Sequence, residues 1–164
     1  QKVLDPCCGK GNFVLGIFDA FYDGMTDTIP DSIERCRAII EDCLYISDIN
    51  PENVDVSSYL INKHAFYKCG VVFPCSSMNK WIGDALTLDV HSVWKINITE
   101  TTVIGNPPYS SNALLRNSVP LYNLFIDKYI SGRYLLFVVP SRWFSGGKGL
   151  VNFRKRMLDR TDIV

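Results

Sequence analysis

Apolar residues along this chain come in two rhythms, short unbroken runs and longer stretches with helical spacing. Their alternation predicts repeated strand–helix–strand units and a parallel sheet. Lys2-Val3-Leu4 reads as the end of a first strand, followed by a turn over Cys8 to Asn12 and a helix through Phe13 to Phe18. Ser32 is the expected cap of a second helix over Ile33 to Asp42. A second strand, Leu44-Tyr45-Ile46, ends at Ser47-Asp48, and Asn53 to Lys63 is helical with Pro51 near its start. A third strand ends on Trp81-Ile82-Gly83-Asp84. Thr102-Val103-Ile104 forms a fourth, stopped by Gly105-Asn106-Pro107-Pro108-Tyr109. A helix from Leu121 to Ile130 leads to an apolar fifth strand, Tyr134 to Val139, which Pro140 ends. A basic helix, Phe153 to Leu158, follows, and Asp162-Ile163-Val164 reads as the start of a further strand. Asp23 to Pro30 and Cys69 to Asn79 read as loops or insertions.

Composition narrows this picture. The 164 residues fit one compact domain, and 47% apolar against 21% charged residues excludes a disordered chain. No apolar run reaches the ~20 residues of a membrane-spanning helix. Six cysteines match no paired Cys-x-x-Cys zinc pattern and read as reduced thiols, so no metal site is expected. Formal net charge is zero. Phosphate contacts dominate DNA affinity, so any DNA grip is expected to be shared with another part of a longer polypeptide. Gln1 already lies inside an apolar run, which also predicts a piece of something larger, incomplete at both ends.

The candidate chemistry lies where strands end. Asp5, Asp48, Asp84 and Asn106 each follow a predicted strand, and open parallel sheets bind ligands outside their carboxyl ends. In Asp5-Pro6-Cys7-Cys8-Gly9-Lys10-Gly11-Asn12-Phe13, the glycines permit close backbone approach to a ligand. The Ser or Thr of a phosphate-binding loop and the third glycine of a dinucleotide fingerprint are missing. An acid ahead of the glycines suits an ammonium or sulfonium ligand; an ordinary glycine turn remains open. Asp48, beside Ile49, can accept both hydroxyls of a ribose or cap a helix. Asp84, beside Ala85, can accept from an adenine amine or serve as a turn residue. In Asn106-Pro107-Pro108-Tyr109 the consecutive prolines fix the chain. The carbonyls of Asn106 and Pro107 can then take both hydrogens of an exocyclic amine, which frees its lone pair for attack. Tyr109 offers a face for a swung-out base. A plain strand-terminating turn is the alternative.

Together these motifs resemble the amino N-methyltransferases, above all the adenine-N6 DNA methyltransferases of restriction-modification systems and their phage relatives. The resemblance runs over most of the chain and implies an α/β, Rossmann-like methyltransferase fold with a mostly parallel sheet and helices on both faces. It implies S-adenosylmethionine held by Asp5, Pro6, Gly9, Gly11, Phe13, Asp48, Ile49, Asp84 and Ala85. Leu121-Tyr122-Asn123-Leu124-Phe125 is similar to the next family motif, with Phe125 on the cofactor adenine. Phe137 to Ser141 resembles the strand after it. Asn106, Pro107 and Tyr109 take the catalytic role, and Asn106, Pro108 and Tyr109 the target base. The implied reaction is direct in-line methyl transfer to N6 of a flipped adenine. The implied partners are double-stranded DNA with an adenine-containing site and a target-recognition domain or subunit outside residues 1–164. The implied setting is the cytoplasm of a bacterium or of a phage-infected cell. A glutamine-modifying protein methyltransferase or an RNA amino-methyltransferase shares the Asn-Pro-Pro-Tyr turn, and a non-catalytic binding subunit is a rival of another class. His64, in a helix, His91, in a polar loop, and Cys7 and Cys8 are assigned no chemistry. Ser145 to Gly149 reads as a loop, and Arg154, Lys155, Arg156 and Arg160 as a solvated helix face.

Overall fold

A computed structural model describes residues 1–111, 119–147 and 149–163. Five parallel strands form one sheet in the order β3-β2-β1-β4-β5. They are β1 (Lys2–Asp5), β2 (Leu44–Asp48), β3 (Asn79–Ile82), β4 (Thr101–Gly105) and β5 (Tyr134–Phe137). The helices are α1 (Asn12–Gly24), α2 (Ser32–Ala38), α3 (Pro51–Cys69), α4 (Val90–Trp94), α5 (Tyr122–Tyr129) and α6 (Val151–Leu158). With both faces covered, the central strands bury consecutive side chains, which is why they read as unbroken apolar runs.

Alternation along each strand feeds two cores. Val3, Leu44 and Ile46 pack with Val14 and Phe18 of α1, Cys36 of α2 and Val54 and Ile61 of α3. On the opposite face, Leu4, Tyr45 and Val103 pack with Leu88, Val90 of α4, and Phe125 and Tyr129 of α5. A third cluster joins Tyr122 to Leu150, Phe153 and Met157. The α/β, Rossmann-like architecture with helices on both faces is therefore present.

Several boundaries differ from expectation. Asp31, not Ser32, caps α2: its Oδ1 accepts from the amides of Ile33 and Glu34, each at 2.9 Å. The helix expected to reach Asp42 changes to a wider π turn over Ile39–Cys43, which lets it deliver the chain straight into β2. α3 begins at Pro51 behind an Asn50 cap and runs on to Cys69, where Gly70 at φ 75° stops it. The fifth strand ends at Phe137 and the third at Ile82. His91 lies in α4, a helix capped by Asp89, rather than in a loop. Asp162 and Ile163 form no strand; Val164 and Lys148 lie outside the described residues. Among the described residues no helix is long and apolar enough to cross a membrane.

Candidate active site

Because the strands are parallel, the carboxyl ends of β1, β2 and β4 open on one edge of the sheet. Between β1 and α1 the chain turns through Gly9 (φ 51°) and Gly11 (φ 84°), a region that favours glycine. A Cβ on Gly11 would stand 3.2 Å from Ser57 Oγ. The turn is laced to its neighbours. The Cys8 amide donates to the Ser47 carbonyl at 2.9 Å, Ser47 Oγ to the Pro6 carbonyl at 2.9 Å, and Ser57 Oγ to the Gly9 carbonyl at 3.0 Å. Ser47 and Ser57 went unnoticed in the sequence; Ser47 adjoins Asp48, whereas Ser57 sits mid-helix without any local signal.

Three acids surround this turn. Asp5 is 1% exposed and, among the described residues, its carboxylate receives one hydrogen bond, from the Cys7 amide at 3.1 Å. Burial pushes its pKa up to about 7; the Cys7 amide opposes the rise and the negative charge of Asp48 adds to it. Asp48 is committed to the turn: its Oδ2 accepts from the Gly9 amide at 2.9 Å, and its Oδ1 from the Asn50 amide at 2.9 Å and Asn53 Nδ2 at 3.1 Å. Asp84 is exposed two residues past β3, where its Oδ1 accepts from the Leu86 amide at 3.0 Å. The buried Ala85 beside it takes the Tyr129 hydroxyl on its carbonyl at 2.7 Å. Ile49 presents an apolar face, 71% exposed, beside Asp48. Burial raises the Cys7 thiol and pushes the Cys8 thiol up to about 12, so neither is a thiolate near neutral pH.

At the end of β4, a Cβ on Gly105 would lie 2.9 Å from Asp5 Oδ1, 3.5 Å from Pro6 Cδ and 3.6 Å from Phe137 Cε1. The missing side chain thus lets the buried acid stand directly against the residue ahead of Asn106. Asn106 and Pro108 are exposed, Pro107 is buried, and Tyr109 is largely open to solvent. The Tyr109 carbonyl accepts from the Leu121 amide at 3.2 Å, which ties the turn to the start of α5. Among the described residues, the Tyr122 hydroxyl and Asn123 Oδ1 are buried there without partners.

The structure brings Asp5, Pro6, Gly9, Gly11, Asp48 and Gly105 into contact around one turn. Asp84 is close enough for its charge to act on Cys7 and Tyr129. Phe13 and Ile49 edge this region from the surface, whereas Phe125 is only 4% exposed and lies in the core with Ala85 and Tyr129. A groove of about 640 Å³ lies elsewhere, along α3 and β3, lined by Tyr59, Lys63, Phe66, Tyr67, Val72 and Lys80. It collects side-chain faces from a helix flank and a sheet edge, with no glycine turn or buried acid, so the strand ends remain the better candidate.

The Eco57I restriction-modification methylase family model matches residues 42–164. That span holds Asp48, Asp84 and Asn106 to Tyr109 but begins after the first glycine turn. A DrdV–DNA complex solved by cryo-electron microscopy superposes with a TM-score of 0.68 at 17% identity, covering 94% of this chain and 18% of that one. A modification subunit of a putative type I restriction enzyme from Vibrio vulnificus YJ016 superposes at 0.59 and 14% identity, covering 96% of this chain and 34% of that one. The chain therefore spans a fifth to a third of the proteins it resembles in structure, and at these identities the likeness concerns the fold. No curated protein sequence matches the chain.

Proposed function

The chain belongs to the Eco57I restriction-modification methylase family, and on that premise we propose that it methylates N6 of adenine in DNA with S-adenosylmethionine as donor. The observation that carries this reading is the contact of Asp5 with Gly105, which sets a cofactor-side acid against the turn that holds the target amine. The residues fit such a donor. Asp5 is a buried carboxylate with one hydrogen bond and, among the described residues, no cation, so the ammonium of a methionine moiety relieves the cost of its burial.

When bound, S-adenosylmethionine supplies an electrophilic methyl group on a sulfonium. Asp5 would hold its ammonium, and Gly9 and Gly11, without side chains, would let the backbone approach it. Asp48, whose two oxygens keep acceptor capacity beyond the three hydrogen bonds they already take, would accept the two hydroxyls of a ribose. The open face of Ile49 suits the adenine ring and Asp84 its amine, with Ala85 and Phe125 forming the floor beneath. Asn106 Oδ1 and the Pro107 carbonyl accept the two N–H groups of the target amine. As that nitrogen pyramidalises these bonds strengthen, so they stabilise the transition state more than the ground state. The nitrogen sheds one proton to solvent after transfer. Tyr109 stacks on the extruded base, offsetting part of the few kcal/mol that unstacking costs. The 164 residues form the catalytic domain, with target recognition supplied from outside them.

Asn106→Ala in the full-length protein separates these roles. Transfer should fall at least a thousandfold, while the affinity for S-adenosylmethionine measured by calorimetry changes less than about threefold. Parallel loss of both would remove Asn106 from the catalytic role.

A further inference from the structure

The chain is neutral as a whole, yet its charge is unevenly placed. Between Arg142 and Arg160 the sequence carries six cations, Arg142, Lys148, Arg154, Lys155, Arg156 and Arg160, against the single acid Asp159. Some are committed to structure: Arg156 makes a double hydrogen bond to Asp127, and Arg160 pairs with Asp162. Arg142 and Arg154 make no ion pair among the described residues, and both are exposed.

Their position follows from the sheet. β4 and β5 are parallel neighbours, with Gly105 opposite Phe137 and the Val138 amide donating to the Gly105 carbonyl at 3.0 Å. The two chains therefore leave the sheet side by side, one into Asn106 to Tyr109 and the other into a short 3-10 turn over Ser141–Ser145. A continuous run of contacts links the two exits. Leu121 bonds the Tyr109 carbonyl, and its neighbour Tyr122 meets Phe153 edge-on at 6.5 Å. Phe153 meets Trp143 at 6.0 Å, and Trp143 stacks on Phe144 at 4.0 Å and 23°. Phe144 is 57% exposed, and its carbonyl accepts from Arg154 Nε at 2.6 Å. An exposed aromatic stacked on a partly buried tryptophan, with Arg142 two residues before it and Arg154 bonded to its carbonyl, is thus joined by contacts to the candidate catalytic turn.

We propose that Arg142, Phe144 and Arg154 form a grip on the sugar-phosphate strand of DNA next to the active site, the arginines on phosphates and the Phe144 ring against an exposed base. This rests on the DNA reading above and adds the surface that holds the strand. A guanidinium pair suits phosphate by charge and by its fork of donors, and a π-face accepts any base. A neutral chain can hold a polyanion in this way because most of its acids lie elsewhere in the sequence: outside this segment acids outnumber bases by five.

The test uses the full-length protein and a 30-base-pair duplex of arbitrary sequence with one unpaired adenine at its centre, with binding followed by fluorescence anisotropy at several salt concentrations. The double variant Arg142→Gln/Arg154→Gln should bind about tenfold more weakly, and the salt slope should fall by about 1.8, which is ~0.9 for each phosphate no longer neutralised. Arg142→Lys/Arg154→Lys, which keeps the charge, should restore most of that slope, and Phe144→Ala should weaken binding several-fold without changing it. S-adenosylmethionine affinity should be unaltered throughout. Unchanged DNA affinity and slope in the Gln variant overturn the proposal, as does equal loss in the Lys variant. Preferential loss of binding to an RNA of the same length overturns the choice of DNA. If the wild type binds DNA with the expected slope but leaves no N6-methyl label, the adenine reading fails and the grip stands.

Discussion

Asp5→Asn isolates the electrostatic cost of the site. Between the ordinary carboxylate pKa of 3.8 and the folded value of about 7, the folded protein keeps a proton that the unfolded chain has already released. Stability therefore falls as pH rises through that window and levels off above it. At 1.36 kcal/mol for each tenfold change in acidity, the full fall is about 4 kcal/mol, an upper bound that assumes no local relaxation. Asn has nearly the same shape and keeps an oxygen for the Cys7 amide, but it carries no charge. Without ligand, Asp5→Asn should match the wild type near pH 4, exceed it by about 1–2 kcal/mol at pH 5, and exceed it by up to about 4 kcal/mol at pH 8. Its affinity for S-adenosylmethionine should fall about 10- to 100-fold, since a charge-assisted hydrogen bond contributes about 1.5–3 kcal/mol. Urea unfolding at pH 4, 5, 6, 7 and 8, with a calorimetric titration of the cofactor at pH 8, measures both. A variant no more stable than wild type at pH 8, or one that binds the cofactor equally well, would refute the reasoning. The expected pattern, more stable yet less able to bind, is what a strained functional site produces.

Two further substitutions test the geometry. Gly105→Ala places a methyl 2.9 Å from Asp5 Oδ1, so the carboxylate must turn away from the Cys7 amide; stability should drop by about 2–3 kcal/mol and cofactor affinity with it. Thermal unfolding and the same titration check this, and a silent variant would separate Asp5 from the Asn106 turn. Asp31→Ala removes the acceptor of two amides at the start of α2 and should cost about 1 kcal/mol in urea unfolding with cofactor binding unchanged, whereas Ser32→Ala should cost little.

The sheet was legible because most of its strands are apolar runs with a glycine, proline or acid at or shortly after the end, and the parallel order places these ends on one edge. The positions of Asp5, Asp48 and Asn106 at strand ends could therefore be read from local pattern alone. What local pattern could not give is which closures touch. The contact of Asp5 with Gly105 joins residues a hundred positions apart, and the Ser57 bond to the Gly9 carbonyl depends on how α3 crosses the glycine turn. The cap of α2 was misplaced by one residue because Asp31 and Ser32 both have capping side chains and only the backbone angles choose between them. The π turn at Ile39–Cys43 has no counterpart in a 3.6-residue period. Gly70, by contrast, was a readable stop for α3 that the polar stretch around His64 obscured. The cations of α6 are solvent-exposed, as expected, and what local pattern could not give is that Arg154 bonds the carbonyl of Phe144 in a different segment.

The identity of the methylated atom distinguishes adenine-N6 transfer from every rival reaction. The direct measurement is to incubate the full-length protein with isotopically labelled S-adenosylmethionine and unmethylated genomic DNA, digest the DNA to nucleosides, and identify the labelled species by mass spectrometry. Methylation of adenine N6 puts the label on N6-methyl-2′-deoxyadenosine, and Asn106→Ala removes it. Label on N4-methylcytosine, on glutamine of a protein or on RNA would contradict adenine-N6 transfer.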